Sequence, residues 1–242
     1  MTSKTPIKVK PVTSCILCGY RGQNLYSHLK DSLFRVPGFW SISSCKNCAL
    51  LWLDPQPLEE DTSLLYSNYY THEGLTNNFL TSSEVSFENF PKNKKIKYAV
   101  LVAYFKYPIM VPRVYYFVGV ILGAIPSFRK KVELSIGGFL PKKGARLLDL
   151  GCGNGDYLLE MKYLGFDVEG IEIDPQSAEI ARSNGILVIT GTLTKNTYKE
   201  NSFDAVYLNN VIEHLANPEE IMSICHTILK KGGRLCIKTC SS

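Results

Sequence analysis

The stretch Arg146–Asp156, which reads RLLDLGCGNGD, constrains the fold of this chain more than any other. A short apolar run leads directly into glycines at three alternate positions, Gly151, Gly153 and Gly155, and an amphipathic segment follows. Glycine has no Cβ, so it allows the backbone to turn tightly and to approach a ligand closely. A strand, a glycine-rich loop and a helix in this order predict an α/β unit that binds a ligand at the loop.

A second predicted strand favours a nucleoside-containing ligand. Val168–Asp174 is largely apolar and ends in carboxylates, among them Glu172. An acid at this place can accept hydrogen bonds from both hydroxyls of a ribose. Dinucleotide-binding loops usually read Gly-x-Gly-x-x-Gly, whereas the spacing here is Gly-x-Gly-x-Gly. This spacing weighs against an NAD-dependent or nucleotide-sugar oxidoreductase, which remains the alternative enzyme.

The segment Asp149–Gly155 closely resembles motif I of the class I S-adenosylmethionine-dependent methyltransferases. Further motifs of that family follow in order: a fourth strand at 203–210, a Glu-His-x-x-x-Pro element at 213–218, and a Leu-Lys-x-Gly-Gly turn at 229–233. The resemblance covers residues 144–240. It implies a Rossmann-like α/β fold, S-adenosylmethionine as cofactor, and methyl transfer by in-line displacement to an oxygen or carbon of the acceptor.

The resemblance also implies which residues contact the cofactor. These are Asp149, Gly151, Gly153, Gly155, Glu172, Ile173, Thr192, Asn209 and Asn210. Glu172 would bind the ribose, Ile173 would lie against the adenine, and the two asparagines would border the methionine part. Thr192 stands where the family often has an acid facing the adenine amino group, so it is a weaker match.

Glu213 and His214 are the candidate catalytic residues, since they are an acid–imidazole pair near the expected donor. Three interpretations remain open: a structural role in helix capping or loop packing, a base for the acceptor, and a divalent metal site. Some relatives with Glu-x-x-Glu-His bind a metal there, but this chain has Asn210 in place of the first Glu. One carboxylate and one imidazole make a poor site for a hard cation.

From Gly144 onwards, predicted strands alternate with predicted helices, which indicates a parallel sheet with helices on both faces. The strands are expected near 146–150, 167–173, 186–190, 203–209 and 233–239, and the helices near 156–165, 175–184 and 217–229. The family sheet has seven strands, so five are expected here and the chain is expected to be C-terminally truncated. The exposed fifth strand would then favour self-association through residues 233–240, and a non-catalytic binding module is a further alternative.

Near the N-terminus, Cys15 and Cys18 form one C-x2-C knuckle, and Cys45 and Cys48 form a second. Four thiolates at this spacing are typical of a closed, structural zinc site, which replaces a core that a short segment cannot build. Some sugar-modifying methyltransferases resemble this chain in carrying such a module. The presence of this module in those methyltransferases implies that the acceptor is a small molecule or a sugar linked to a nucleotide or lipid.

Charge is divided unevenly between a basic first part, 18 Lys and Arg against 9 Asp and Glu in residues 1–144, and an acidic remainder, 9 against 13. No apolar leader opens the chain, so we expect a cytoplasmic protein without specific nucleic-acid binding. The expected division is a zinc module at 1–60, a linker and helical cap at 61–143, and the cofactor domain at 144–242. Within the cap, His72 is either part of ordinary loop packing or, if it folds back over the glycine loop, a second candidate base. The apolar segment 99–131 is a buried cap or an interfacial helix making peripheral membrane contact.

Overall fold

The computed structural model describes residues 7–32, 36–58, 61, 87–139 and 143–239. The chain divides into two compact units, Met1–Tyr70 and Thr71–Ser242. His72 with its neighbouring aromatic residues lies outside the described residues, and so does Cys240. The finer three-part division expected from the sequence stays a prediction.

The first unit contains two small antiparallel sheets. Strands β1 (Val9–Lys10) and β5 (Gln56–Pro57) pair with each other, while β2 (Gly22–Leu29), β3 (Trp40–Cys45) and β4 (Leu51–Asp54) form a sheet in the order β2-β3-β4. The buried cluster of this unit consists of Cys15, Cys45 and Trp52. The Trp52 indole donates a hydrogen bond to the carbonyl of Val12 at 2.8 Å. So small a cluster cannot supply much hydrophobic stabilisation.

The first described elements of the second unit are a short 3-10 turn (Phe87–Asn89) and three helices, α1 (Lys92–Phe105), α2 (Arg113–Gly123) and α3 (Pro126–Leu134). Helix α1 contributes the fully buried residues Tyr98, Val100 and Leu101 to a core that it shares with the sheet. No helix within the described ranges has both the length and the apolar character needed to cross a bilayer.

A parallel sheet forms the centre of the second unit. Its strands are β6 (Arg146–Leu150), β7 (Asp167–Glu172), β8 (Leu187–Thr190), β9 (Phe203–Asn209) and β10 (Leu229–Lys238), and its helices are α4 (Asp156–Tyr163), α5 (Pro175–Ser183) and α6 (Pro218–Ile228). Among the described residues the strand order is β10-β9-β6-β7-β8, with every neighbouring pair parallel. The predicted Rossmann-like α/β fold is confirmed, and the predicted strands and helices lie within a few residues of the observed ones.

The largest difference from the expected elements lies at β10, which begins at Leu229 rather than near residue 233. Leu229 pairs with Phe203, and the next pair joins Arg234 to Ala205, so four residues lie opposite one. Gly232, with φ of +79°, lies in this bulge. An ion pair spans the bulge, because the ammonium of Lys230 lies 2.6 Å from the carboxylate of Asp204, the residue opposite the bulge. The predicted helix–turn–strand is therefore a helix that continues directly into a bulged strand.

Candidate functional site

The site lies at the carboxyl end of β6, where the chain order of the sheet reverses. Strand β6 pairs with β7 on one side and with β9 on the other. In open parallel sheets ligands bind in the crevice outside such a switch point. The glycine loop 151–155 leaves β6 here and leads directly into α4.

All three loop glycines have positive φ, at +71° for Gly151, +55° for Gly153 and +86° for Gly155. Space restricts two of them as well. A Cβ on Gly151 would lie 2.5 Å from Cγ2 of Val211, and one on Gly155 would lie 2.9 Å from Cβ of Ala181. Left-handed backbone and close packing thus act together to require glycine.

Glu172, at the end of β7, holds the loop in place. Its carboxylate accepts a hydrogen bond from the Gly153 amide at 2.8 Å and one from the Asp174 amide at 2.9 Å. Burial raises the pKa of Glu172, although these amide donors oppose the rise. A carboxylate has about four lone-pair directions, so Glu172 can accept ribose hydroxyls in addition to the two amides. Its loop-holding contacts were not foreseen from the sequence.

Asp149 is the most unusual group at the site. Its side chain is 3% exposed, and within the described part of the chain its Oδ1 has no hydrogen-bond partner. Burial, and secondarily the nearby Glu172, raise the pKa of Asp149 well above its usual value. A buried acceptor without a partner is costly. It is explained if a donor or cation occupies the adjacent space when the ligand binds.

Two tyrosines form an aromatic wall next to Asp149. Tyr207 of β9 is the register partner of Asp149, and its ring stacks on that of Tyr157 at a centroid distance of 4.4 Å. Burial, followed by the Asp149 charge, raises the pKa of Tyr207 to about 12. Neither tyrosine was predicted from the sequence as a site residue. Tyr207 could have been predicted from its position in the strand, two residues before Asn209.

The remaining predicted contacts lie at the ends of the neighbouring strands. Ile173 is half-buried directly after β7, and Thr192 is exposed one residue after Gly191, whose amide donates to the Glu172 carbonyl at 2.8 Å. Asn209 is exposed at the end of β9, and Asn210 has φ of +53°. These positions surround the loop end of the sheet, while the contact role of each residue stays a prediction.

Glu213 and His214 are exposed and belong to a 3-10 turn, Ile212–His214, that follows β9. Partial desolvation lowers the pKa of His214, opposed by the Glu213 carboxylate. Helix α6 is capped by Asn217, whose side chain accepts from the Glu220 amide at 3.2 Å and donates to the Glu220 carboxylate at 3.1 Å. Asn217 therefore caps α6, and the roles of Glu213 and His214 in loop packing or catalysis stay predictions.

In the first unit, the four knuckle cysteines converge. Cys15 and Cys48 have their Sγ atoms 3.5 Å apart, Cys18 and Cys45 3.4 Å, and Cys18 and Cys48 3.7 Å. All four sulfurs lie within 4.8 Å of one another. Tetrahedral zinc with bonds of about 2.3 Å separates its sulfurs by about 3.8 Å. The donor set and spacing therefore fit one zinc ion. Within the described residues, Glu213 and His214 belong to no comparable group.

The two knuckles have the same backbone conformation. In the first, the Gly19 amide donates to the Cys15 carbonyl at 2.9 Å, and in the second the Ala49 amide donates to the Cys45 carbonyl at 2.9 Å. Gly19 and Ala49 both have positive φ, at +71° and +61°. A left-handed alanine is uncommon, and its presence at the matching position indicates that the turn geometry is required.

Hydrogen bonds among the thiols and from neighbouring groups shift the pKa values of Cys18 and Cys48 in opposite directions. The Tyr20 amide, then Asn47 and the neighbouring thiols, lower the pKa of Cys18 to about 6. At Cys48 the Leu50 amide also favours the thiolate, but the adjacent thiols and burial outweigh it and raise the pKa to about 12. The Cys18 thiol thus ionises readily, whereas the Cys48 thiol ionises with difficulty in the absence of a cation.

Comparison with known proteins finds methyltransferases that are similar to part of the second unit. Residues 128–242 match the family described as a methyltransferase domain. The chain is 34% identical over 107 residues to the ubiquinone biosynthesis O-methyltransferase of Xanthomonas axonopodis pv. citri, a match that spans 41% of this chain and 45% of that protein. The protein of the same name from Cereibacter sphaeroides is 35% identical over 106 residues, which is 41% of this chain and 43% of that protein.

The chain thus spans less than half the length of these curated relatives. A solved S-adenosylmethionine-dependent methyltransferase from Mesorhizobium loti is 25% identical, with a TM-score of 0.40 over 44% of this chain and 52% of that one.

Proposed function

We propose that this chain, whose residues 128–242 match the methyltransferase domain family, binds S-adenosylmethionine and transfers its methyl group to a small acceptor. The observation that carries the proposal is the glycine loop at the switch point, held by Glu172 and lying beside the unpaired buried Asp149. When bound, S-adenosylmethionine supplies a methyl group on a cationic sulfur, ready for in-line displacement.

The residues of the chain would bind and orient the donor. Glu172 would accept the ribose hydroxyls while its bonds to Gly153 and Asp174 keep the loop in shape. Asp149 would gain an ammonium or water as the missing partner of its Oδ1. Tyr157 and Tyr207 would exclude water on one side. Alignment of reactants contributes strongly to such bimolecular reactions.

An oxygen acceptor is the first choice within this proposal. The relatives named above are O-methyltransferases by name, and an acceptor hydroxyl must lose its proton. His214 suits that task because its lowered pKa keeps the imidazole neutral at pH 7, where it can take up a proton. A sugar-linked acceptor, as the four-cysteine module of similar proteins implies, is the more specific form of the proposal.

For the first unit we propose a structural zinc ion held by Cys15, Cys18, Cys45 and Cys48. A four-thiolate site is closed, so these residues would hold the fold of the knuckles and take no part in methyl transfer. The small Cys15–Cys45–Trp52 cluster supports this role, because it offers little other stabilisation.

Calorimetric titration of the full chain with S-adenosylmethionine and with NAD tests the cofactor. We expect binding of the first and none of the second. Glu172→Gln should weaken binding about tenfold to a hundredfold, since a charge-assisted acceptor is lost. Glu179→Gln is the matched control, because Glu179 is exposed on α5 and pairs with Arg182 of the same helix.

Equal affinity of the wild type and Glu172→Gln for S-adenosylmethionine would contradict the cofactor assignment. Methyl transfer to phenolic and sugar-linked hydroxyl acceptors then tests activity, and His214→Gln should lower kcat without changing donor affinity. A chain that binds the donor but methylates no acceptor would instead be a binding module.

A further inference from the structure

Helix α2 exposes an apolar stripe. Its members are Met110, Val114, Phe117, Ile121 and Ile125, which are 91%, 72%, 64%, 67% and 49% exposed. Val114, Phe117 and Ile121 lie within α2 at the spacing i, i+3 and i+7, which places them on one face of the helix. Met110 precedes the helix, and Ile125 follows it. Apart from Arg113 and the Tyr116 hydroxyl, the exposed half of α2 carries only apolar side chains. Contiguous exposed apolar surface of this kind marks an interaction site.

The opposite side of α2 is fixed against the rest of the unit, so the stripe cannot turn inward. Gly119 and Gly123 are buried, and a Cβ on either would collide with Ala99 or Tyr104 of α1. Tyr104 also donates its hydroxyl to the Val120 carbonyl at 2.9 Å. Two glycines four residues apart thus hold α2 closely against α1, and the packed side is already occupied.

The charge around the stripe is mainly positive. Residues 91–132 contain nine Lys and Arg and no Asp or Glu. Some of these cations serve the interior: Lys94 and Lys97 pair with Glu160 at 2.8 and 3.2 Å, and the Arg129 guanidinium lies over the Tyr104 ring. Arg113 at the start of α2 and Lys131 on the following helix are exposed. Lys130 on that helix is also exposed, and its ammonium pairs with Glu133 at 3.0 Å.

We propose that the apolar stripe with its basic flanks is a peripheral binding surface for an anionic lipid bilayer. Helix α2 has 11 residues, about 16 Å at 1.5 Å per residue, so it fits in the plane of the interface and cannot span a hydrocarbon core of about 30 Å. Apolar side chains would enter the acyl boundary while the basic residues meet anionic head groups.

Charge favours this occupant over a second copy of the chain. An isologous contact through the stripe would bring Arg113, Lys130 and Lys131 of two copies together, whereas lipid phosphates neutralise them. The inference does not depend on methyl transfer, because it concerns binding alone.

Co-sedimentation of the full chain with vesicles tests it, using phosphatidylcholine alone and phosphatidylcholine with about one third phosphatidylglycerol. We expect binding to the anionic vesicles that weakens with added salt. Lys130→Gln with Lys131→Gln should reduce binding at least about tenfold, and Val114→Ser with Phe117→Ser and Ile121→Ser should abolish it. The control for the lysine pair is Lys195→Gln with Lys199→Gln. The control for the apolar change compares Ile121→Ser alone with Leu187→Ser, which changes a similarly exposed residue of β8.

Circular dichroism and donor affinity of each variant verify that it is folded. Absence of vesicle binding by the wild type would overturn the proposal, since the stripe would then be covered within the protein. A dimer seen by sedimentation and dissolved by the triple Ser variant, without vesicle binding, would overturn it in favour of a second copy. Equal binding to neutral and anionic vesicles, or equal losses in the control variants, would also overturn it.

Discussion

Different interactions stabilise the fold of each of the two units. In the second unit, buried apolar clusters lie on each face of the parallel sheet, one shared with α1, α4 and α5 and the other with α6. Among the described residues of the first unit, the buried cluster contains only Cys15, Cys45 and Trp52, and seven of the eight residues of β2 are exposed. We infer that thiolate bonds to one ion replace apolar burial in the first unit. Loss of metal should therefore unfold the first unit, and loss of buried apolar contacts should destabilise the second.

Removal of metal should have the largest effect, and only on the first unit. Structural zinc sites contribute about 10–16 kcal/mol of apparent binding free energy to folding, so Cys18→Ser or a strong chelator should unfold residues 7–58. Metal analysis should fall from one zinc per chain to none, and limited proteolysis should cut the first unit only. Cys236→Ser is the matched control, because Cys236 is a half-buried thiol outside the cluster.

Protein prepared without chelator and containing no zinc would contradict this assignment. Loss of S-adenosylmethionine binding in Cys18→Ser, with the second unit still folded, would contradict the separation of the two roles.

The reverse experiment removes apolar contacts from the second unit. Leu148 is fully buried in the cluster that includes Val206, Leu208 and Ile228. Leu148→Ala should lower the free energy of unfolding of this unit by about 2–5 kcal/mol, measured by denaturant titration, while the zinc content stays at one. Zinc loss together with unfolding of the second unit would show that the units fold as one.

The sequence predicted the second unit well because its signals are local. Alternation of apolar runs with amphipathic segments gave the strands, and the glycine loop gave the position of the site, since both depend on neighbouring residues. The approach of Cys15 and Cys18 to Cys45 and Cys48 was also foreseen, because metal ligation by paired C-x2-C knuckles has few geometric solutions.

What the sequence did not predict depends on residues far apart in the chain. Tyr207 lies beside Asp149 only through the register of β6 and β9, and Glu160 meets Lys94 and Lys97 only after α1 packs on α4. The early start of β10 arises from a bulge opposite Asp204. No periodicity within a single segment encodes such pairings, so they require the folded structure.

A glycine pair sharpens the comparison within the second unit. Gly151 and Gly144 both have φ near +70°, but an added Cβ meets Val211 only at Gly151 and open space at Gly144. Gly144→Ala should cost only backbone strain, about 1–2 kcal/mol. Gly151→Ala should add a clash of about 1–3 kcal/mol and weaken donor binding. Thermal melts measure the change in stability, and calorimetry measures donor binding. Equal effects of the two variants would show that the Val211 side chain moves away from the added Cβ at little cost.

The smallest expected effect separates stability from function at Asp149. An acid whose pKa is raised on folding lowers stability as pH rises above its usual 3.8 towards its higher folded value. Asp149→Asn removes that loss, so the ligand-free variant should be more stable than the wild type at pH 7, yet bind S-adenosylmethionine at least about tenfold more weakly.

Glu160 provides a control of opposite sign. Burial alone would raise its pKa, but Lys97 and Lys94 outweigh burial and lower it, so its contribution is present above pH about 4.5 and is lost as pH falls through the lowered value. Glu160→Gln should therefore destabilise the protein at pH 7 and leave donor affinity unchanged. Denaturant titrations of both variants between pH 3 and pH 8 would show the two slopes. A less stable Asp149→Asn with unaltered donor affinity would mean that the buried carboxylate serves the fold, and that its unpaired oxygen has no part in binding.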